Sequence, residues 1–565
     1  MNLLVNLSKF KLLLNKTDRN YFNIILIYQF LGSVLEAFGI ALILPLLSIF
    51  LNQENQFIDF YSNLFGLEKD KLLISGLLII IIFYFLKNLL LGIIYKKVFN
   101  FAFKLQYFIK STVYSDFINQ KFKKFISKGS SNFMSILSVD LNIFTQNFII
   151  GLLVFLTEFF VILSVSIFLF IYEPFGFLAL GLISFIFIFI FIKTFRKRIN
   201  KLGDDKQIAE EKLQKILNNT INSFQALKIF GKEKFFEKKF NVFNFDSSYL
   251  YGKFNFFQHL PRLIFEVFVV FLMVSLVSVL YLKGYAFDQM FIKIAIFAAA
   301  AFRLMPSINR IVYCYQGIVF SEATLNKIID FNTLNKNLKQ NIKNFNQNFE
   351  ELELKKINFK YKDKEIFKDL SIKIKKGEFI GVYGESGSGK TTFVNIISGL
   401  LEPENGEYCL NSKNIKVSNE NWKNIFGYVP QFVNLIDDTL IQNITMCDPK
   451  EINYNLFNDI CNKMKIQELI DKYGKEKIGE RGIKISGGQF QRINLARALY
   501  HKPSVLIMDE ATSALDNETE RKILDTVLEL NSKENLTVIL ISHKLENLKS
   551  CNRKFLLDNK NLIEQ

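Results

Sequence analysis

The sequence predicts two parts of different structural class, an all-α transmembrane domain followed by a soluble α/β domain. Hydrophobic residues make up 50% of the 565 positions, and phenylalanine alone occurs 62 times. Long apolar runs fill roughly residues 21–320, whereas the composition after residue 350 is that of a soluble domain. The polar, asparagine-rich stretch NTLNKNLKQNIKNFNQNFE between them is typical of a linker. We therefore predict a membrane domain over 1–330, a linker over 331–349 and an α/β domain over 350–565.

Six apolar segments in the first part are each long enough to cross a bilayer as a helix, which takes ~20 residues. Together they predict an all-α bundle of six transmembrane helices. The segments cover residues 21–51, 71–96, 143–172, 175–194, 260–282 and 288–320.

Lysine and arginine are unevenly distributed among the connections between these helices. The connections after the second and fourth helices are long and basic, whereas the other loops contain almost no lysine or arginine. Basic loops stay in the cytoplasm, so both termini are predicted to be cytoplasmic. Heavy use of Lys, Asn, Ile and Phe points to an AT-rich bacterial genome, which makes the inner (cytoplasmic) membrane the expected location. Because these loops explain most of the net charge of +17, nucleic acid is not an expected partner.

The stretch FIGVYGESGSGKTTFVNIISGL contains a glycine-rich loop between a strand pattern and a helix pattern. This is the context of a P-loop, in which backbone N–H groups and a helix N-terminus bind phosphates. Lys390 is expected to reach the β- and γ-phosphates, and the Thr391 hydroxyl to bind Mg²⁺. The soluble part is therefore predicted to be an α/β P-loop ATPase. Its nucleotide-binding candidates are Gly384, Glu385, Ser386, Gly387, Ser388, Gly389, Lys390, Thr391 and Thr392.

The stretch SVLIMDEATSALD is an apolar strand pattern that ends in two adjacent carboxylates. Asp509 is expected to hold Mg²⁺ and Glu510 to polarise the water that attacks the γ-phosphate, since phosphoryl transfer needs a nucleophile positioned in line. Two acids at a strand end alone could be a surface turn, but the P-loop upstream favours the catalytic role.

Between these motifs lies IKISGGQFQRINLARAL, and here the chain resembles the ATP-binding cassette (ABC) transporter superfamily. Ile485 stands where the family usually has leucine. The resemblance implies that this signature motif of one subunit closes over ATP held by another. The matching signature residues are Ser486, Gly487, Gly488 and Gln489.

The same resemblance implies roles for single residues in three other motifs. Gln431 in GYVPQ corresponds to the family's Q-loop, near Mg²⁺, and His543 in LISHK to the histidine that contacts the γ-phosphate. Tyr361 in NFKYKD corresponds to the aromatic residue that stacks on adenine. Glu480 in IGERG resembles an exporter-type coupling loop, and SALD (513–516) the D-loop.

One membrane domain and one ABC domain make half of a transporter of this superfamily. The family's ATP sites are shared between two subunits, and the motifs here are intact, so the resemblance implies a homodimer that hydrolyses ATP with Mg²⁺. The six spans before the ATPase domain resemble the exporter type.

Several charged residues fall within the predicted spans, where a charge costs at least ~2.5–3.5 kcal/mol and therefore usually has a function or a partner. Two subunits would present two tiers of cations that suit a phosphate or pyrophosphate. The alternative is structural pairing with the carboxylates of Glu36, Glu158 and Glu266 in the same spans. The candidate cations are Lys87, Arg262, Arg303 and Arg310.

As a whole the chain resembles the lipid-linked-oligosaccharide flippases of bacterial protein glycosylation. This resemblance implies ATP-driven flipping of a polyprenyl-pyrophosphate-linked oligosaccharide from the cytoplasmic to the periplasmic side. An apolar stripe within residues 57–65 of the first external loop could contact the membrane surface or a lipid tail, or it could pack on the bundle. The alternative function is that of a lipid A-type lipid exporter or a multidrug exporter.

Overall fold

The computed structural model describes most of the chain. The chain divides into two compact units. The first unit comprises Met1–Gln120 and Ser127–Leu338, and the second comprises Lys121–Ile126 and Lys339–Gln565. The stripe at 57–65, Glu480 and the first half of the SALD segment lie outside the described residues. The described residues are 2–42, 69–128, 130–172, 174–284, 287–336, 343–344, 349–361, 364–415, 420–431, 434–474, 476–478, 485–512 and 515–565.

The first unit is helical throughout its described residues. Two π-helical segments, Ile136–Asp140 and Phe144–Ile150, are joined by the short α-helical turn Leu141–Ile143 and precede the α6 helix. The helices of this part of the chain are α1 (Asn2–Leu13), α2 (Lys16–Ala41), α3 (Lys69–Ile118), α4 (Phe122–Lys128), of which the residues up to Ile126 belong to the second unit, α5 (Ser130–Ser135), α6 (Gly151–Tyr172), α7 (Pro174–Asn222), α8 (Phe224–Ile229), α9 (Glu233–Leu282), α10 (Phe287–Phe320) and α11 (Glu322–Lys336).

Helices occupy the described residues of all six predicted membrane segments, of which the first, 21–51, is described only as far as residue 42. Four described stretches are long and apolar enough to span a bilayer: Lys16–Gly39, Ile74–Ile118, Phe133–Ile171 and Glu233–Leu282. Three helices extend well beyond the apolar segments into charged sequence. These are α3, α7 and α9, which are each 49–50 residues long. The number of six spans stays a prediction.

Apolar side chains form the core of the first unit where its helices meet. Phe10, Phe101, Phe144 and Phe148 are each at most 2% exposed within one cluster. By contrast, Phe85 of α3 is 67% exposed. Large apolar side chains on the outside of a helix bundle are expected where the surroundings are lipid rather than water.

The second unit is an α/β domain. Its strands are β1 (Lys343–Asn344), β2 (Glu351–Tyr361), β3 (Lys364–Lys375), β4 (Phe379–Tyr383), β5 (Asn405–Leu410), β6 (Lys413–Asn414), β7 (Glu420–Asn421), β8 (Phe426–Val429), β9 (Val505–Asp509), β10 (Thr537–Ile541), β11 (Arg553–Asp558) and β12 (Asn561–Glu564). Its helices are α12 (Lys390–Ile397), α13 (Leu440–Thr445), α14 (Tyr454–Lys463), α15 (Gln467–Tyr473), α16 (Gly487–Tyr500) and α17 (Asn517–Glu534).

A six-stranded sheet of order β12-β11-β4-β10-β9-β8 forms the centre of this unit, and only β12 is antiparallel to its neighbour. Residues of β9 and β10 are buried on both faces, as parallel strands require. In register, Ile541 pairs with Asp509 on one side and with Val382 on the other. The carboxyl ends of β4, β9 and β10 therefore lie side by side, so the loops that follow them meet at one edge.

The remaining strands form an antiparallel sheet of order β3-β2-β5-β6 and the short parallel pair β1-β7. The second unit also includes Lys121–Ile126, where Phe122 packs against the domain core and Lys121 Nζ lies 3.0 Å from Glu402 Oε2. The interval expected to be a linker begins inside α11 and contains β1. Its composition concealed both elements, because asparagine and lysine tolerate a helix end or a two-residue strand that depends on a distant partner.

Candidate functional site

The phosphate-binding loop connects β4 to α12. Gly387 and Gly389 have φ angles of 83° and 108°, which L-residues with side chains rarely adopt. A Cβ atom on Gly384 would lie 2.6 Å from the carbonyl oxygen of Leu557. Glycine is therefore required at these positions by conformation or by space.

Polar groups of this loop remain available for a ligand. The side chains of Glu385, Ser386 and Thr391 are exposed, whereas Thr392 is half-buried. The Ser388 hydroxyl oxygen is buried and has no hydrogen-bond partner among the described residues. An unsatisfied buried hydroxyl beside the N-terminus of α12 fits a phosphate oxygen, which would accept its hydrogen bond.

Lys390 is the first residue of α12 and is 7% exposed. Its Nζ donates to the carbonyl oxygens of Gly384 (3.0 Å) and Glu385 (2.9 Å) and lies 3.8 Å from Glu510 Oε1. Burial lowers the pKa of Lys390, and the nearby carboxylates of Glu510 and Asp509 oppose this effect. The Lys390 side chain thus folds back over the phosphate-binding loop.

Glu510 follows β9 with a φ of 50°, a left-handed conformation that costs ~1–2 kcal/mol for a residue with a side chain. Its N–H donates to Ile541 O at 3.0 Å, which ties this turn to β10. Its carboxylate accepts a hydrogen bond from Gln431 Nε2 at 2.7 Å, and its Oε1 lies 2.5 Å from His543 Nε2. The structure therefore brings together the three predicted catalytic residues.

Asp509 ends β9 and is buried. Burial raises the pKa of its carboxyl, and a hydrogen bond from the Tyr428 hydroxyl at 3.3 Å opposes this rise. Sequence reasoning missed Tyr428, which lies three residues before Gln431 in β8. Tyr428 lies close to Asp509 because β8 pairs with β9, and no local motif reveals this pairing.

A second group missed from the sequence lies beside His543. Buried Glu520 of α17 accepts hydrogen bonds from Lys544 Nζ and Asn547 Nδ2, each at 2.7 Å. These contacts fix the chain that follows His543. The sequence carried no signal for them, because a helical glutamate and a nearby lysine are ordinary surface residues.

Tyr361 and the signature residues lie on other parts of the second unit. Tyr361 ends β2, half-buried, with its ring edge-on to Phe359 at a centroid distance of 4.9 Å. Ser486 caps α16, and its backbone N–H donates to Gln489 Oε1 at 3.0 Å, which makes a capping box. Ser486 and Gly487 are exposed, whereas Gly488 approaches α17 so closely that a Cβ would lie 2.9 Å from Thr519 Cγ2.

Two of the four candidate substrate cations have carboxylate partners. Lys87 Nζ lies 3.2 Å from Glu36 Oε2, and both side chains are largely buried. Arg310 Nε lies 2.8 Å from Glu158 Oε1, with the arginine side chain 46% and the glutamate side chain 2% exposed. The alternative of structural pairing thus has a geometric basis at these two sites.

The other two candidate cations differ from this pattern. Arg262 and Glu266 are both exposed, and within the described residues they form no ion pair with each other. The backbone of Arg303 lies in α10, but its side chain is outside the described part of the structure. The three candidate cations with described side chains therefore differ from one another: Lys87 and Arg310 pair with glutamates, and Arg262 is exposed.

Both units match known families. Residues 22–299 match the ABC transporter transmembrane region, and residues 367–513 match the ABC transporter family. A putative export ATP-binding/permease protein of Rickettsia bellii (strain RML369-C) is 28% identical over 481 residues, which cover 81% of this chain and 80% of that protein. An ATP-dependent lipid A-core flippase of Francisella novicida is 28% identical over 446 residues, 74% of this chain and 69% of the flippase.

The fold is similar to that of a solved exporter. A bacterial Atm1-family ABC exporter with ATP bound superposes with a TM-score of 0.81, covering 98% of this chain and 95% of the exporter at 18% sequence identity. At that identity the likeness concerns the fold alone. The two family matches, the helical unit and the P-loop domain agree, and they confirm the expectation of an ATP-driven translocase. The chain belongs to the ABC transporters: it combines a transmembrane region and an ATP-binding ATPase domain in one polypeptide with an exporter fold.

Proposed function

We propose that this transporter uses ATP hydrolysis to move a lipid A-type lipid from the cytoplasmic to the outer side of a bacterial inner membrane. The observation that carries this proposal is the similarity to the lipid A-core flippase, which extends over 74% of the chain and includes both units. The basic connections favour cytoplasmic termini, so the ATPase domain would draw on cytoplasmic ATP.

The predicted oligosaccharide-lipid cargo has less support than this alternative. No relative described above is named for that cargo, and two of the four cations that suggested a pyrophosphate have glutamate partners. A lipid A-type molecule also carries phosphate, so Arg262 and Arg303 remain candidates for contact with its headgroup.

In the proposed ATPase cycle, Glu510 acts as the base that orients and polarises the attacking water. Gln431 and His543 hold its carboxylate in position through the short contacts described above. Lys390 and the N–H groups of residues 384–392 bind the phosphates. Their positive charge stabilises the negative charge that develops on the phosphate oxygens during phosphoryl transfer. Tyr361 provides the aromatic face for adenine.

The residues at the carboxyl edge of the sheet fit Mg²⁺, which prefers oxygen ligands. The Thr391 hydroxyl, the Asp509 carboxylate and the side-chain oxygen of Gln431 are the donors we assign to it. The Gln431 amide nitrogen already donates to Glu510, which leaves its oxygen as the free acceptor. When bound, Mg²⁺ neutralises phosphate charge, and the protein groups above retain their roles around it.

The proposed transporter is a homodimer in which Ser486 of one copy completes the ATP site of the other. Its exposed position at the start of α16 suits such a contact. Because each site would then draw on two chains, mutations in the P-loop and in the signature motif should complement each other.

We expect Lys390→Ala and Ser486→Arg each to abolish ATPase activity as a homodimer, through lost phosphate binding and a blocked signature contact, respectively. Each mixed dimer retains one of its two sites, so the purified mixed dimer should show roughly half of the wild-type activity. The measurement is ATPase activity of purified, doubly tagged dimers. The control is a mixed dimer of Lys390→Ala with a chain that carries both Lys390→Ala and Ser486→Arg, because this dimer has no intact site. Full activity of either single mutant as a homodimer would contradict the shared site.

The cargo is tested by the lipid dependence of ATP hydrolysis. We expect lipid A-type lipid to stimulate the reconstituted transporter most, because cargo binding favours the conformation that hydrolyses ATP. The comparison is with polyprenyl-pyrophosphate oligosaccharide, phosphatidylcholine and an amphipathic drug at matched concentrations. Stimulation by the oligosaccharide lipid alone would favour that cargo, and stimulation by the drug alone would reject lipid transport.

A further inference from the structure

A basic cavity lies in the first unit, between α7 and α10, and has a volume of about 500 Å³. Its three cations and one asparagine, at 193, 196, 197 and 200, are spaced so that they share one face of α7. We call this cavity the basic pocket. It is lined by Phe189, Lys193, Arg196, Lys197, Asn200 and Tyr315.

The pocket has an exposed rim and a half-buried floor. Phe189, Lys193 and Lys197 are exposed, whereas Arg196 and Tyr315 are half-buried, as is Asn200. Beside the pocket, Ile199 of α7 is 1% exposed and packs in a cluster with Phe254 of α9 and Phe320 of α10, and Tyr315 packs against the same cluster. The cations are therefore presented by a helix whose orientation is set by packing.

The cations of the basic pocket differ from others nearby in having no carboxylate partner among the described residues. On the same helix Lys206 lies 3.1 Å from Glu210, and in α11 Lys327 lies 2.7 Å from Asp140. Three like charges on one helix face repel one another, so an anion in the cavity would relieve the repulsion.

The position of the pocket along α7 indicates which anion it meets. Residues 175–192 read FGFLALGLISFIFIFIFI and contain no charge, and KTFRKR follows immediately. Such a change marks the boundary between hydrocarbon and headgroups, and basic pockets between helices at this boundary suit acidic lipid headgroups.

We propose that the basic pocket binds the phosphate of an anionic membrane lipid. The Arg196 guanidinium provides a planar fork for two phosphate oxygens, and Lys193 and Lys197 add charge at the rim. The aromatic faces of Phe189 and Tyr315 contact the apolar part next to the phosphate. This site does not depend on which lipid the transporter exports.

The test uses the full-length protein in neutral detergent, titrated with phosphatidylglycerol or phosphatidylcholine and followed by native mass spectrometry. The pocket variant is Lys193→Ala, Arg196→Ala and Lys197→Ala combined. The matched control removes three exposed cations of α7 that do not line the pocket: Arg198→Ala, Lys201→Ala and Lys212→Ala. A glutamine version of the pocket variant replaces the alanine version if thermal denaturation shows that the latter is unfolded.

We expect the wild-type protein to prefer phosphatidylglycerol and the pocket variant to bind it ~100-fold more weakly, since each of the three basic groups contributes ~1 kcal/mol at a membrane surface. The control variant should keep its affinity. Equal losses in both variants, or no preference over phosphatidylcholine, would overturn the proposal. Displacement by an equal concentration of inorganic phosphate would overturn its lipid component.

Competition with a lipid A-type lipid distinguishes the two sources of the phosphate. Displacement of phosphatidylglycerol by that lipid supports a pocket that exported and resident lipids share. Retention of phosphatidylglycerol supports a pocket for the resident lipid. These outcomes are separate from ATPase stimulation, so failure of the cargo proposal would leave this binding result unaffected.

Discussion

Replacing Glu510 with glutamine is expected to reduce ATP hydrolysis by ~10²–10⁴-fold while ATP binding is retained. Glutamine keeps the shape of the side chain but cannot accept the proton of the attacking water, and general-base catalysis contributes an effect of this size. The hydrogen bond from Gln431 would also have to be rearranged, because the amide replaces one acceptor oxygen. The measurements are steady-state ATPase activity and equilibrium binding of ATP.

The matched control for this prediction is Glu529→Gln, which removes the same charge from an exposed position of α17. Its ATPase activity should equal that of the wild-type protein. The Glu510→Gln protein should also accumulate as a closed, ATP-bound dimer, which cross-linking between the two ATPase domains would detect. Hydrolysis at a near-normal rate would refute the assignment of Glu510 as the base.

The second large effect is expected for Arg310→Ala in the first unit. This change leaves the Glu158 carboxylate, whose side chain is 2% exposed, without its described cation. Its Oε2 atom already lacks a hydrogen-bond partner in the described residues, so the site offers little to replace the arginine. Breaking a buried ion pair in this way costs ~3–5 kcal/mol, and the lower end applies because Arg310 is half exposed.

The stabilising role is tested by a second change, Glu158→Gln, in the Arg310→Ala protein. The amide needs no counter-charge, so thermal stability of the purified transporter should largely recover. Arg262→Ala is the matched control, since it removes the same charge from an exposed position without an ion-pair partner in the described residues. If Arg310→Ala instead kept wild-type stability and lost transport of phosphate-bearing lipids only, Arg310 would be a cargo residue.

Much of the ATPase domain could be predicted because its information is local in sequence. GESGSGKTT requires glycine at positions with positive φ or no room for Cβ, and the structure has these features at Gly384, Gly387 and Gly389. The apolar run VLIMD could be recognised as a fully buried strand because it carries no alternation. Each of these patterns constrains the chain within a few residues.

The membrane part was predictable in class but less so in detail. Apolar length indicated where helices cross the bilayer, but not how far they continue beyond it, since α7 and α9 extend into charged sequence. Composition likewise favoured a linker where α11 and β1 lie, because a short element can depend on contacts that propensity does not contain.

By itself, the sequence determined the division into a membrane part and an ATPase part, the P-loop, and the acidic strand end. Only the tertiary structure decided which charges meet. It joined Gln431 and His543 to Glu510, added Tyr428 to Asp509, and paired Arg310 with Glu158. The physical reason is that a motif records local backbone and charge requirements, whereas an ion pair between helices or a contact across strands depends on packing and register between distant segments.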